Sequence, residues 1–243
     1  MKYLLLTLAL IFTCMSCDKI KTRYTRSYVQ SYYDYQDIEL YAKSQHPEYI
    51  IKVNLIPGKN IGSILSKGRQ KEEFDRLCEK HGDTGYNRVI RFHALMNNYL
   101  AYNITSVSVT SDSAYDELHP ANTDLNDLFE FFNVSPLKYI RSGYTELYNW
   151  RYCPLTEYEM SLYGTLGSSV DSYSEFHVTR KDLTALEESD LELVGDGGYS
   201  LIFLKLLKLP TLSNEHTFTV TITIEDGRVF SDNVTISFLN ADE

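Results

Sequence analysis

Positive charge is in short supply in this sequence: 23 Lys and Arg stand against 33 Asp and Glu, a net charge of −10 over 243 residues. Nucleic acids are held through a basic footprint on their phosphates, so the balance excludes nucleic-acid binding as the main business of the chain. Cysteine is scarce too. There are four, and the one pair at Cys-x-x-Cys spacing, Cys14 and Cys17, falls in the first seventeen residues. The rest of the chain therefore has no thiolate pair for zinc, and no two histidines stand at the i,i+4 spacing of a His-Glu-x-x-His metalloprotease. The run from Gly164 to Ser168 reads Gly-Thr-Leu-Gly-Ser, which is not a nucleophile elbow. Gly58 to Ser63 lacks the Gly-Lys-Ser/Thr ending of a phosphate loop. No cofactor, no metal and no catalytic residue is assigned from motifs.

Long apolar runs are confined to the start. Lys2 supplies a positive n-region and Leu4 to Phe12 an apolar stretch broken by Thr7. That run is too short for a permanent membrane helix and reads as a signal peptide. Its exit, Ser16 followed by Cys17, resembles the lipobox of bacterial lipoproteins, and the resemblance implies lipidation of Cys17. Cleavage there removes residues 1–16, leaving 227 residues at −11, of which Cys17 to Arg26 carry +3 and the remainder −14. Residues 17–26 are thus expected to be a basic tether, drawn to anionic lipid or simply solvated, ahead of one domain over 27–243. With Cys14 discarded and Cys17 lipidated, Cys78 and Cys153 remain. An export compartment permits a bridge between them, worth roughly 4–5 kcal/mol in the chain-entropy account; two free buried thiols are the other reading.

Tyrosine, by contrast, is abundant, and 13 of the 20 fall within residues 24–49 and 139–163. Over the Tyr-rich segment 27–49, and Tyr24 ahead of it, the spacing is ambiguous between a helix face (Tyr24, Tyr28, Tyr32, Tyr35) and a strand face (Tyr33, Tyr35). Ile50–Ile56 reads as a strand ended by Pro57-Gly58. Lys71–Lys80 reads as a helix with Phe74, Leu77 and Cys78 on one stripe and Gly82 as its stop. Strands are expected at Arg88–Ala94, Asn103–Thr110 and Tyr199–Leu206, and a short helix capped by Thr123 or Asp124 through Leu125, Leu128, Phe129 and Phe132.

Residues 216–238 read as a β-hairpin. Phe218, Val220, Ile222 and Ile224 alternate with threonines, and Phe230, Val234, Ile236 and Phe238 return. A two-residue Asp-Gly turn would put the returning residues on the wrong face. A three-residue loop with Gly227 left-handed pairs Ile224 with Arg228, Ile222 with Phe230 and Phe218 with Val234, which keeps both apolar sets inward. Asp232 opposite Val220 is the misfit and predicts an irregularity. The expected architecture is mainly β: an immunoglobulin-like β-sandwich with two or three short helices.

Ser108–Asp112, His119–Phe129 and the approach Leu209–Ser213 to the final hairpin resemble uncharacterised envelope lipoproteins of the Bacteroidetes. The resemblance implies a lipid-anchored protein of the cell envelope, at the outer membrane, with its periplasmic or surface face open. Asp112-Ser113-Ala114 is similar to the Bacteroidetes O-glycosylation motif, which makes Ser113 the acceptor.

For ligand binding, Tyr148, Trp150 and Tyr152 would share one face if extended, a platform on which sugar C–H groups could stack. The same spacing also suits half-buried core. The acidic residues Asp112, Asp116, Glu117, Asp124 and Asp127 lack the spacing of a calcium loop and read as solvated charge. Cys78 and His81, three apart on a helix, are a thiol–imidazole pair or a core cysteine beside a helix-terminal histidine. The function these features favour is a non-catalytic binding or interaction module for a glycan or an envelope protein. A carboxylate-dependent hydrolase or a purely structural envelope component are the alternatives.

Overall fold

A computed structural model describes residues 22–45, 47–91, 97–163, 173–195 and 201–238. Cys17, the signal segment, His46 and His93 lie outside them. The fold is mainly β, with three short helices among the described residues.

Alternation makes the simplest sheet. β6 (Ile104–Ser111), β12 (Glu215–Ile224) and β13 (Val229–Ser237) form three antiparallel strands in the order β13-β12-β6. Every second residue of β12 is buried, from His216 to Ile224, and the threonines between them are half-exposed. The hairpin register is the expected one: Ile222 faces Phe230 and Phe218 faces Val234. Gly227 adopts φ +87° and donates its N–H to the Ile224 carbonyl at 2.9 Å, closing the three-residue loop. Asp232 does lie opposite Val220, but the β12–β13 pairing is continuous there. Its carboxylate instead accepts the Leu40 N–H at 2.9 Å, joining this sheet to the next.

The second sheet has the order β10-β7-β11-β3-β2-β5, with β10 at His177–Asp182, β7 at Phe129–Ser135, β11 at Leu201–Leu206, β3 at Glu48–Ser63, β2 at Ser31–Gln45 and β5 at Asn98–Leu100. All neighbours are antiparallel except β2 and β5. Pro57-Gly58 does not end β3. Three register shifts between Tyr32 and Asp37 absorb it, Tyr35 pairs with Pro57, and the long hairpin curls as a result. The helix expected around Phe129 is also corrected. Only a 3₁₀ turn forms at Asn126–Leu128, after which β7 runs between β10 and β11. Phe129 and Phe131 face one apolar cluster and Phe132 and Val134 another, so burial on both faces erases the period of two.

Three clusters result. The largest fills the space between the two sheets. The second lies under α1 (Arg69–His81) and includes Tyr28, Tyr32, Phe74, Cys78 and α2 (Leu137–Arg141). The third packs Trp150, Leu155 and Tyr163 onto Ile50, Phe132 and Phe203, on the sheet face turned away from the three-stranded sheet. α1 stops as its sequence signals: Gly82 at φ +75° bonds Glu79 and the Asp83 N–H bonds the Cys78 carbonyl. A Cβ on Gly62 would collide with the Gln70 carbonyl oxygen, so glycine is what lets β3 touch the first turn of α1.

β1 (Thr22–Thr25) pairs with β4 (Arg88–Arg91) and buries Thr25, so the fold begins inside the segment expected to be a tether. Cys78 and Cys153 are free thiols. Of the two readings, the bridge is not made: Cys78 sits beside β2 and β5 in the cluster under α1, and Cys153 packs on the β7–β11 side. Bridging needs Cα atoms within about 7 Å.

Candidate functional site

The aromatic row Tyr148-Asn149-Trp150-Arg151-Tyr152 does not form a platform. β8 (Tyr148–Asn149) pairs with β9 (Tyr173–Ser174) for two residues only. The Asn149 side chain then accepts the Arg151 N–H and caps a 3₁₀ turn, Trp150–Tyr152. The turn sends the three rings to three environments: Trp150 is 3% exposed, Tyr152 76%, and Tyr148 is half-buried. An asparagine directly ahead of Trp150 is an N-cap signal that the sequence carried. So was Thr156-Glu-Tyr-Glu159, which forms a reciprocal capping box at the start of α3 (Glu157–Ser161).

Tyr148 nevertheless opens onto a groove of about 370 Å³ between α2, β10 and the 3₁₀ turn Glu188–Leu191. Its ring meets Trp150 edge-on at 5.4 Å and His177 at the same distance. His177 Nε2 donates to the Glu146 carbonyl at 2.9 Å, and burial pushes the imidazole below its ordinary range, so it lines the groove as a neutral ring. Thr179 and Ser189 add hydroxyls, Lys138 and Arg141 cations, and Asp190 the lining's carboxylate. Asp190 is already bound to Lys181 at 2.7 Å and to the Glu187 N–H. The cations have partners at the rim, Lys138 with Glu146 at 2.6 Å and Arg141 with Glu192 at 3.0 Å. An aromatic wall with hydroxyls and solvent-exposed, paired cations at its rim can accept a polar, hydroxylated ligand. Lys138 and Arg141 share α2 at i,i+3 spacing, but Tyr148, His177 and Asp190 come from separated segments, so no sequence pattern could have grouped the whole set.

A larger groove of about 690 Å³ separates β1 from α1, with Arg23, Arg26 and Lys71 facing Asp75 and Glu79. Asp83 and Cys78 also line it. Asp83 accepts the Tyr28 and Val29 N–H groups at 2.7 and 2.8 Å and the Tyr144 hydroxyl at 2.8 Å. Burial nonetheless raises its pKa to about 6. Burial also pushes the Cys78 thiol up, which makes it a poor nucleophile. His81 bonds Glu192 at 3.2 Å, not the thiol, which is the arrangement of a core cysteine beside a helix-terminal histidine.

The carboxylates are tied up as well. Arg180 holds Glu130 at 2.7 Å and Glu159 at 3.0 Å, and Lys205 holds Glu159 at 2.7 Å. Of the acidic run, Asp116 binds Lys208 and His119, Asp127 binds His119, and Asp112 accepts the Thr217 N–H. Among the described residues no cluster of three or more ligating side chains could hold a metal ion, and no helix is long and apolar enough to cross a membrane. Ser113 lies half-exposed beside β6. No protein family, curated protein or solved structure matches this chain.

Proposed function

We propose that the chain is a lipid-anchored cell-envelope protein, at the outer membrane, whose mainly β body acts as a non-catalytic module for a glycan. The anchor rests on the signal pattern ending at Cys17. The observation that carries the binding reading is the groove beside Tyr148, where one half-buried ring stands among hydroxyls, an amine and a guanidinium. A groove of about 370 Å³ suits one or two sugar rings. A carboxylate-dependent hydrolase draws no support from it, since among the described residues of its lining Asp190 is the one carboxylate. Sandwich-like layering is supported by the apolar cluster shared between the two sheets. Six strands on three depart from the four-on-three count of an immunoglobulin constant domain.

Binding is tested on a glycan array with the full chain, followed by titration calorimetry of any hit against Tyr148→Ala. Loss of about tenfold or more in affinity is expected. A blank array, or a hit indifferent to Tyr148→Ala, overturns the reading. The anchor is tested separately by palmitate labelling: Cys17→Ala is expected to lose label and membrane association, and unchanged association refutes it.

A further inference from the structure

Exposed leucines are not scattered evenly over this molecule. Among the described residues six leucines are strongly exposed, and four of them, Leu118, Leu207, Leu209 and Leu212, stand on two loops at the start of β12. Leu118 is 83% exposed. Single exposed leucines are ordinary, whereas a group on one surface marks an interaction site.

The two loops are held together. The Thr211 and Leu212 N–H groups both donate to the Tyr115 carbonyl, at 2.9 and 3.3 Å, and the Tyr115 hydroxyl donates to the Lys208 carbonyl. Asp116 is the hub: it accepts the Leu118 and His119 N–H groups, the His119 ring and the Lys208 ammonium. A solvated loop needs none of this. Rigid apolar side chains lower the entropy that an interface must lose on forming.

The chemistry around the leucines selects the occupant. Segments 112–127 and 207–215 carry six acidic residues against one lysine, and Lys208 is already paired with Asp116. A second copy of the chain would bring acidic rim to acidic rim in a two-fold contact. An anionic lipid surface would be repelled by the same rim. Leucines offer a sugar neither a stacking face nor a hydrogen bond. We propose that this surface docks a protein that presents an apolar recess framed by lysine and arginine, at a site separate from the Tyr148 groove.

The test places a benzophenone amino acid at position 118 or 212 of the full-length chain in the cell that makes it, with position 229, exposed on the far end of β13, as control. One protein crosslinked from 118 and 212 and not from 229 is expected. Its mapped crosslink should fall among apolar side chains flanked by Lys or Arg. The purified complex should weaken about tenfold both with Leu212→Lys and on raising salt from 0.05 to 0.5 M. Circular dichroism should be unchanged in that variant, because the side chain is exposed. Four results overturn the proposal: self-crosslinked dimers, no crosslink beyond the control, a crosslinked partner without the basic frame, or flotation of the Cys17→Ala chain with phosphatidylcholine–phosphatidylglycerol vesicles that Leu212→Lys abolishes.

Discussion

The two main sheets are built from the same residue types and differ in how many of their faces are dry. In the three-stranded sheet, β12 buries Phe218, Val220, Ile222 and Ile224 and turns its threonines outward. In the six-stranded sheet the central strands bury consecutive residues: Ile50 and Ile51, Phe131 and Phe132, Ile202 and Phe203 are all within 1% of fully buried. One member of each pair faces the three-stranded sheet and the other faces the cover made by residues 150–163. A sheet with one wet face writes a period of two into its sequence. A sheet with none writes only an apolar run.

The largest expected effect breaks the two-sided sheet from its far face. Phe203 stacks on Phe132 with ring centroids 4.9 Å apart and planes 8° from parallel, and Tyr163 packs edge-on at 4.7 Å. Phe203→Ala leaves a cavity that strands on both sides hold open, and should cost about 3–5 kcal/mol by urea unfolding. A loss below about 1 kcal/mol would mean that the cover over this face is loose, and that the second dry face does not exist.

The same contrast explains what could be read beforehand. Register and turn type were legible in residues 216–238 because every threonine marked the wet side; the Asp232 pairing was too, but the irregularity expected from it does not form, because the carboxylate goes to the Leu40 N–H instead. β7 was not, since Leu125, Leu128, Phe129 and Phe132 fit a helical stripe as well as a strand buried on both faces. Pro57-Gly58 looked like a terminator because bulges that swallow a proline leave no local mark. At the candidate site Tyr148 was identified by its aromatic neighbours, but the platform was not there: Asn149 caps a turn and Trp150 goes into the core. The rest of the groove is assembled by topology alone.

Charge sharpens the comparison next. The six-stranded sheet buries a carboxylate on its α1 flank, Asp83, and the three-stranded sheet's core residues include none. Asp83 has its pKa raised from 3.8 to about 6, through burial against three hydrogen bonds that oppose the shift. A raised pKa means that the folded state binds the proton more tightly than the unfolded chain. The stability from this group is therefore complete below about pH 4 and is lost as pH rises through about 6, a change of about 3 kcal/mol. Asp83→Asn should lower stability at every pH, because its amide nitrogen cannot accept the second backbone N–H, and should flatten the pH 4–7 slope relative to the parent chain. Parallel slopes in urea midpoints would rule out Asp83 as the titrating group.

A smaller effect is expected at the seam. Asp232 is on the one-sided sheet and its carboxylate caps the Leu40 N–H of the other. Asp232→Ala should cost about 1–2 kcal/mol, at or below the low end for a bond to a charged acceptor because this one is only partly buried. Hydrogen exchange at the Leu40 amide should rise with it. Protection unchanged at Leu40 would mean that the sheets meet without this clasp.

The smallest effect belongs to the wet face, and it is the sharpest control on the whole contrast. Thr221 is half-exposed on β12, and its hydroxyl meets the Ser231 hydroxyl at 3.2 Å across the hairpin. Thr221→Val removes that weak bond and keeps the β-branched shape that a pleated surface favours, so stability should move by less than about 0.5 kcal/mol. The threonine face then behaves as solvent-facing surface, and its hydroxyls serve to keep the strand's outer side polar rather than to hold the fold. A gain well beyond that range would show that the face prefers to be apolar, as a surface covered by another layer does. The three-stranded sheet would then be two-sided like its partner, and the legibility of its sequence would need a different cause from the wetness of its outer face.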